Sequence, residues 1–116
     1  MTILEGDKRI AAIRDLNDDF RRDARPRSGH VVVTRSVNAF GPGFAFAAYD
    51  AVRKFDAFND DNDPHAEHDF GSFEIEGRQL FWKIDYYDKE MEHGSDDPAD
   101  PDLTTRVITI MLAEDY

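Results

Sequence analysis

The segment from His65 to Asp69 is the part of this 116-residue chain that comes closest to a chemical motif. His65, Glu67, His68 and Asp69 lie within five positions, and imidazole and carboxylate groups are ligands of zinc and other divalent ions. The spacing is weakly specific, because structural zinc sites usually have two separated ligand pairs. Equally, His68 or Asp69 could cap a loop by hydrogen bonds to the backbone. We therefore expect no metal or other cofactor. The alternative is a small metal protein or an enzyme that uses these four residues together with Asp85.

Other catalytic patterns are missing from the sequence. It contains no HExxH, GxSxG, GxxxxGK or GxGxxG motif. The acidic run that starts at Asp60 does not fit a calcium-binding EF-hand loop, since neither Asp60 nor Asp61 as the first position gives Gly at the sixth and Glu at the twelfth. The absence of cysteine excludes disulfides, thiolate zinc sites and thiol catalysis. These observations favour a protein that is not an enzyme.

Charge is distributed unevenly along the chain. Residues 1–55 carry seven Asp or Glu and ten Lys or Arg, a balance of +3, whereas residues 56–116 carry eighteen and four, a balance of −14. Two runs hold most of the excess: residues 56–76 have eight carboxylates and no Lys or Arg, and residues 85–102 have eight opposed by Lys89. Such a field repels nucleic-acid phosphate and anionic lipid, and favours a basic partner. We therefore expect no direct binding to nucleic acid or membrane.

The acidic runs also suggest which residues would contact that partner. A fixed array of carboxylates could take the place of phosphates in a groove lined by Arg and Lys. The other interpretation is that the acids only keep the protein soluble. The candidate partner-binding residues are Asp60, Asp61, Asp63, Glu67, Asp69, Asp88, Glu90, Glu92, Asp96 and Asp97.

Local patterns predict the elements that position these residues. A first helix runs from an N-cap at Asp7 to about Arg22 and a second from about 42 to 58, because apolar residues recur at helical spacing. Strands are expected over residues 30–35, 68–75, 78–87 and 104–112, with a tight turn at Glu76-Gly77 and acidic loops over 59–67 and 88–102. The predicted fold is one α+β domain over residues 1–116, with two helices packed on one face of a mostly antiparallel four-stranded sheet in the order α-β-α-β-β-β.

Three sequence runs carry a family resemblance: EHDFGSFEIEG, LFWKIDYYDKEMEHGSDDPADP and TTRVITIMLAEDY. They resemble a family of small bacterial proteins classed only as a domain of unknown function, frequent in alphaproteobacteria and on plasmids and other mobile elements. The resemblance implies no activity or cofactor, but it implies a gene context near anti-restriction functions. Together with the charge, this resemblance leads to our main hypothesis, that the protein is an inhibitor or modulator of a nucleic-acid-handling complex. It would be of anti-restriction or anti-CRISPR type and would act as a DNA mimic.

Two further expectations concern location and assembly. The first residues, MTILEGDKR, lack the apolar run of a signal peptide, and no apolar stretch is long enough to span a membrane, so a cytoplasmic protein is expected. A generic module that forms a homodimer through an exposed edge of the last strand is a further alternative.

Overall fold

The computed structural model describes residues 6–23 and 29–116. Along the chain these form α1 (Gly6–Arg22), β1 (Gly29–Val33), α2 (Arg35–Asn38), α3 (Pro42–Lys54), β2 (Phe70–Ile75), β3 (Arg78–Tyr87), β4 (Thr105–Leu112) and a 3₁₀ turn (Ala113–Asp115). The α+β class and the two substantial helices are confirmed. The short α2 was not predicted, and it takes Arg35 out of the expected first strand.

The sheet is mixed, which corrects the mostly antiparallel prediction. Its strand order is β1-β4-β3-β2, and β4 pairs antiparallel with β3 but parallel with β1. The parallel pairing arises because the chain crosses α2, α3 and the β2–β3 hairpin before β4 starts beside the start of β1. The last strand is therefore interior to the sheet, and the expectation that it offers an exposed edge for dimerisation is wrong.

The core lies between the two longer helices and the inner face of the sheet. Leu80, Trp82 and Ile84 alternate along β3 and are at most 4% exposed. They form one apolar cluster with Ile108 and Ile110 of β4. The helices contribute Phe20 from α1 and Phe44, Ala48 and Val52 from α3. The small Ala48, fully buried at the middle of α3, lets this helix approach the sheet closely.

The turn between β2 and β3 and the end of α3 can be compared with the positions that the sequence predicts. Glu76 and Gly77 both have positive φ (52° and 78°), which is the backbone of a two-residue hairpin turn and confirms the predicted turn. Helix α3 ends at Lys54 rather than near Phe58. Beyond this end, the rings of Phe55 and Phe58 pack edge-on against Trp82.

Gly71 on β2 provides a test of this packing. A methyl group at this position would overlap the buried indole of Trp82, whereas a methyl group at Gly43 in the first turn of α3 would meet no atom within 4 Å. We expect Gly71→Ala to lower the free energy of unfolding by about 1–3 kcal/mol, the usual cost of overpacking. Gly43→Ala should be neutral or slightly stabilising. Urea unfolding of both variants measures the difference, and equal stabilities would contradict this packing.

Candidate functional site

Both acidic loops lie at the same end of the sheet. We call residues 59–69 the first acidic loop and residues 88–104 the second. The Ile84 N–H donates to the Asp69 carbonyl (2.8 Å), and the Ser95 N–H donates to the Tyr86 carbonyl (3.0 Å). The two loops thus bond to one edge of β3 at positions two residues, or roughly 7 Å, apart. One loop precedes the β2–β3 hairpin and the other follows it, so the antiparallel pairing of these strands brings the two loops to the same end.

Side chains of helix α1 contact both loops. Arg9 forms an ion pair with Asp97 of the second loop, at 3.0 Å between Nη2 and Oδ1. One turn further along, Arg14 donates to the Ala66 carbonyl of the first loop (3.3 Å). Arg9 and Arg14 therefore serve contacts within the fold.

A buried polar network links α1, the sheet and the two loops. Asn17 is fully buried, and its Nδ2 donates to the Tyr86 hydroxyl (2.8 Å) and to the Glu67 carbonyl (2.9 Å). Its Oδ1 accepts a hydrogen bond from Arg106 Nε (2.6 Å). Arg106 is 1% exposed and also donates to the Pro98 carbonyl (2.6 Å) in the second loop. Hydrogen bonds thus run without interruption from one acidic loop to the other.

Burial governs the protonation of this network. It raises the pKa of the Tyr86 hydroxyl far above its ordinary value, and the hydrogen bond that Tyr86 donates to the Glu67 carboxylate (2.8 Å) acts in the same direction. Burial lowers the pKa of Arg106, whose guanidinium lies 5.2 Å from the Tyr86 ring. Tyr86 therefore stays neutral and keeps its role as a donor.

His68 is enclosed by two carboxylates rather than placed in a metal cluster. Its Nδ1 lies 2.9 Å from Asp18 Oδ1 of α1, its Nε2 lies 3.6 Å from Asp63 Oδ2, and its ring stacks on Phe58 at 3.7 Å. Two other members of the metal hypothesis have partners of their own: Glu67 accepts from Tyr86, and Asp85 pairs with Lys83 (2.9 Å). Over residues 6–23 and 29–116, no three His, Asp or Glu side chains are grouped to hold a metal ion.

The ten candidate partner-binding residues fall into two groups. One group is solvent-exposed: Asp60, Asp61, Glu90, Glu92 and Asp96. The other group is at least partly buried: Asp63, Glu67, Asp69, Asp88 and Asp97. Several of the second group hold the loop backbone, since Asp63 accepts from the His68 N–H (3.1 Å) and Asp88 from the Glu92 N–H (3.0 Å).

A cleft opens within the second acidic loop. It has a volume of about 290 Å³ and is lined by Asp88, Lys89, Glu90, Asp96 and Leu103. Its three carboxylates outnumber the one ammonium, that of Lys89, so the cleft carries a net negative charge beside the apolar Leu103.

Sequence reasoning missed the two residues at the centre of the network. The signal for Asn17 was a polar residue within the apolar stripe of α1, and the signal for Arg106 was a single charge within the β-branched run of β4. A buried position requires polar partners for both. No local pattern revealed that they are partners of each other.

A family model matches residues 33–115, and its description is a protein of unknown function (DUF3768). The chain belongs to this family. No curated protein and no solved structure matches it. The matched region of this DUF3768 member includes both acidic loops, Tyr86 and Arg106, while Asn17 lies before it. None of the helices among its described residues has the length and apolarity needed to cross a membrane.

Replacing Asn17 tests the network. Asn17→Ala would leave Arg106 Nε, the Glu67 carbonyl and the Tyr86 hydroxyl without the amide that joins them, so we expect the free energy of unfolding to fall by about 2–4 kcal/mol. Asn38→Ala is the matched control, because this exposed amide makes a long bond of 3.3 Å to the Val33 carbonyl; it should cost less than about 1 kcal/mol. Similar losses in urea unfolding would show that the network does not support the loops.

Asp69 provides a test by pH. Burial raises the pKa of its carboxyl, and the nearby charge of Glu67 adds to the effect. A raised pKa means that the folded state binds the proton more tightly, so the ionised carboxylate destabilises the fold at neutral pH and protonation relieves this as the pH falls. We therefore expect Asp69→Asn to have a higher melting temperature than the wild type at pH 7, with the difference closing towards pH 4.

The control for this pH effect is the exposed Asp60 in the same loop. Asp60→Asn removes the same charge without removing a buried carboxylate, so its effect on the melting temperature should be smaller at pH 7. A wild type that is more stable than Asp69→Asn at pH 7 would contradict the assigned cause.

Proposed function

We propose that this protein is a small inhibitor or modulator that binds a basic surface of a nucleic-acid-handling complex, of anti-restriction or anti-CRISPR type. It would act in the cytoplasm as a DNA mimic. The observation that supports the proposal best is that two acidic loops, one before and one after the β2–β3 hairpin, bond to the same edge of β3. The resemblance to proteins of mobile elements gives the proposal its biological setting.

The composition of the two loops suits a basic target. They carry twelve carboxylates, and Lys89 is the sole Lys or Arg within them. The five exposed carboxylates named above are available to pair with cationic side chains of a partner. The cleft beside Glu90 and Asp96 can accommodate one such side chain. Carboxylates grouped on one surface raise the rate of association with a basic groove and disfavour acidic partners.

The loops are also ordered by their own hydrogen bonds. In the second loop the Asp97 carbonyl accepts from the Thr104 hydroxyl (2.8 Å), and Asp97 Oδ1 accepts from the Ala99 N–H (3.1 Å). In the first loop Asn59 Oδ1 accepts from the N–H groups of Asp61 and Asn62. Preorganised loops lose less conformational entropy on binding, so more of the electrostatic attraction appears as affinity.

A pull-down with charge variants tests the proposal. The tagged protein is exposed to a lysate of its native host at low and high salt, and captured complexes are identified and assayed for nucleic-acid binding. We expect capture of a DNA- or RNA-binding complex at low salt and its loss at high salt, because the attraction is screened. The loop variant, with Asp60, Asp61, Glu90 and Glu92 changed to Asn or Gln, should lose this capture.

The control variant removes the same number of charges at the opposite end of the sheet. It changes the exposed residues Glu74, Glu76, Glu114 and Asp115 to Gln or Asn and should retain capture. Duplex DNA added in excess should release the complex from the wild-type protein. Equal capture by both variants, or capture that DNA does not affect, would refute DNA mimicry and leave the acids a role in solubility.

A further inference from the structure

His68 joins the first acidic loop to α1 through both nitrogens of its ring. Nδ1 lies 2.9 and 3.1 Å from the two carboxylate oxygens of Asp18 on α1, and Nε2 lies 3.6 Å from Asp63 Oδ2 within the loop. The side chains of Asp18 and Asp63 are 14% and 5% exposed, and that of His68 is 22% exposed. Each ring nitrogen therefore faces a carboxylate at a site largely shielded from water.

The number of protons on the ring decides whether both contacts are favourable. A neutral imidazole has one N–H and one lone pair, whereas the imidazolium has two N–H groups. An ionised carboxylate offers only acceptors, so a neutral ring turns its lone pair towards one of the two carboxylates. The imidazolium suits both Asp18 and Asp63, and losing its proton converts one attraction into a repulsion.

Phe58 and Arg21 also face the imidazole. The ring stacks on Phe58 at 3.7 Å, and an aromatic face favours a cation. The guanidinium of Arg21 lies 5.4 Å from the same Phe58 ring and pairs with Asp18 at 3.1 Å. Its charge opposes that of the imidazolium, but Asp63 supplies a second carboxylate. Protonated His68 thus completes a group of two cations and two carboxylates.

The charged groups next to this cluster are mainly acidic. Glu67 and Asp69 flank His68 in the chain, and the charge of Asp56 acts on Arg21. Negative charge close to an imidazole favours its protonated form.

The loop backbone at this site is strained. Ala66 and His68 both lie in the left-handed region, with φ of 56° and 55°. Residues other than glycine seldom adopt this conformation, which persists where surrounding contacts impose it. Besides the His68 ring, these contacts are the bond from the His68 N–H to Asp63 Oδ1 (3.1 Å) and the bond from Arg14 to the Ala66 carbonyl (3.3 Å). Release of the ring therefore allows the loop backbone to relax.

We propose that His68 is a pH switch, which holds the first acidic loop against α1 while its imidazole is protonated and releases the loop when the proton is lost. Histidine changes its charge between about pH 5 and pH 8, so the loop is held on the acidic side of this range. The held loop presents two carboxylates to the imidazolium and the released loop does not, so proton binding and loop closure stabilise each other. The switch goes beyond the proposed function, since it acts without a partner.

Amide hydrogen exchange of residues 59–69, followed by mass spectrometry, tests the switch. The protection factor is the intrinsic exchange rate divided by the observed rate, so it removes the pH dependence of the exchange chemistry itself. We expect the protection factors of the wild-type loop to fall roughly tenfold between about pH 6 and about pH 8.5, because two nearby carboxylates favour the charged ring by about that factor. Peptides from β3 should keep their protection.

Asp63→Asn is the variant that distinguishes the switch from a general loss of stability. An amide at this position keeps an oxygen for the His68 N–H and directs an N–H towards Nε2, so it suits a neutral ring whose Nδ1–H donates to Asp18. The loop of this variant should therefore stay protected at about pH 8.5.

Two further variants complete the experiment. His68→Gln cannot become a cation, so its loop should have equally low protection factors at both pH values. His93→Gln is the matched control, because His93 faces Asp88 of the second loop at 3.8 Å and is 79% exposed. Its first loop should behave like that of the wild type.

Circular dichroism at both pH values establishes that each variant is folded. The proposal is overturned by wild-type protection factors that do not change with pH, or by a folded Asp63→Asn variant that loses protection as the wild type does. It is equally overturned by a folded His68→Gln variant that keeps the wild-type change, and this comparison decides if Asp63→Asn does not fold. None of these outcomes bears on DNA mimicry, since no partner enters the measurement.

Discussion

The hydrogen bond between Asn17 and Arg106 is the contact on which the arrangement of the acidic end depends. Leaving a buried guanidinium without polar partners costs several kcal/mol. Here Arg106 has the Asn17 amide, the Pro98 carbonyl and the Tyr86 ring. A shift of α1 by one turn would break the first of these contacts. The bond therefore fixes the position of α1 against the sheet and, through the Glu67 and Pro98 carbonyls, the position of both acidic loops.

A second buried arginine extends this role of α1. Arg21 is 2% exposed, and it donates to the Val52 (2.9 Å) and Phe55 (2.6 Å) carbonyls where α3 ends. It also pairs with Asp18, the carboxylate that faces His68 of the first acidic loop. The end of α3, the aromatic packing around Trp82 and the first loop thus share one helix as their support. Arg21 can lie inside the molecule because backbone carbonyls and Asp18 accept hydrogen bonds from its guanidinium.

The features that the sequence predicted depend on residues close together in the chain, whereas the features that it missed join residues far apart in the chain. The hairpin turn, α1 and the strand over residues 78–87 follow from residues close together in the chain, and the structure confirms them. The parallel pairing of β1 with β4, and the bond between Asn17 and Arg106, join residues more than seventy positions apart and leave no periodic signal. The early end of α3 belongs to the same class, because Arg21 caps it from another helix. Charge counting found the acidic loops, but it could not show that Asp63 turns inward while Asp60 and Asp61 stay exposed.

The chemistry of the supporting contacts determines whether the acidic end can act on a partner. Arg14, Asn17 and Arg106 all donate to backbone carbonyls of the two loops. Among the described residues, Asp97 is the loop carboxylate that pairs with an arginine, through Arg9. Had the arginines bonded the other carboxylates, the loops would be equally well held but their field would be largely neutralised. Because carbonyls accept most of these contacts, the fold positions both loops without neutralising most of their carboxylates.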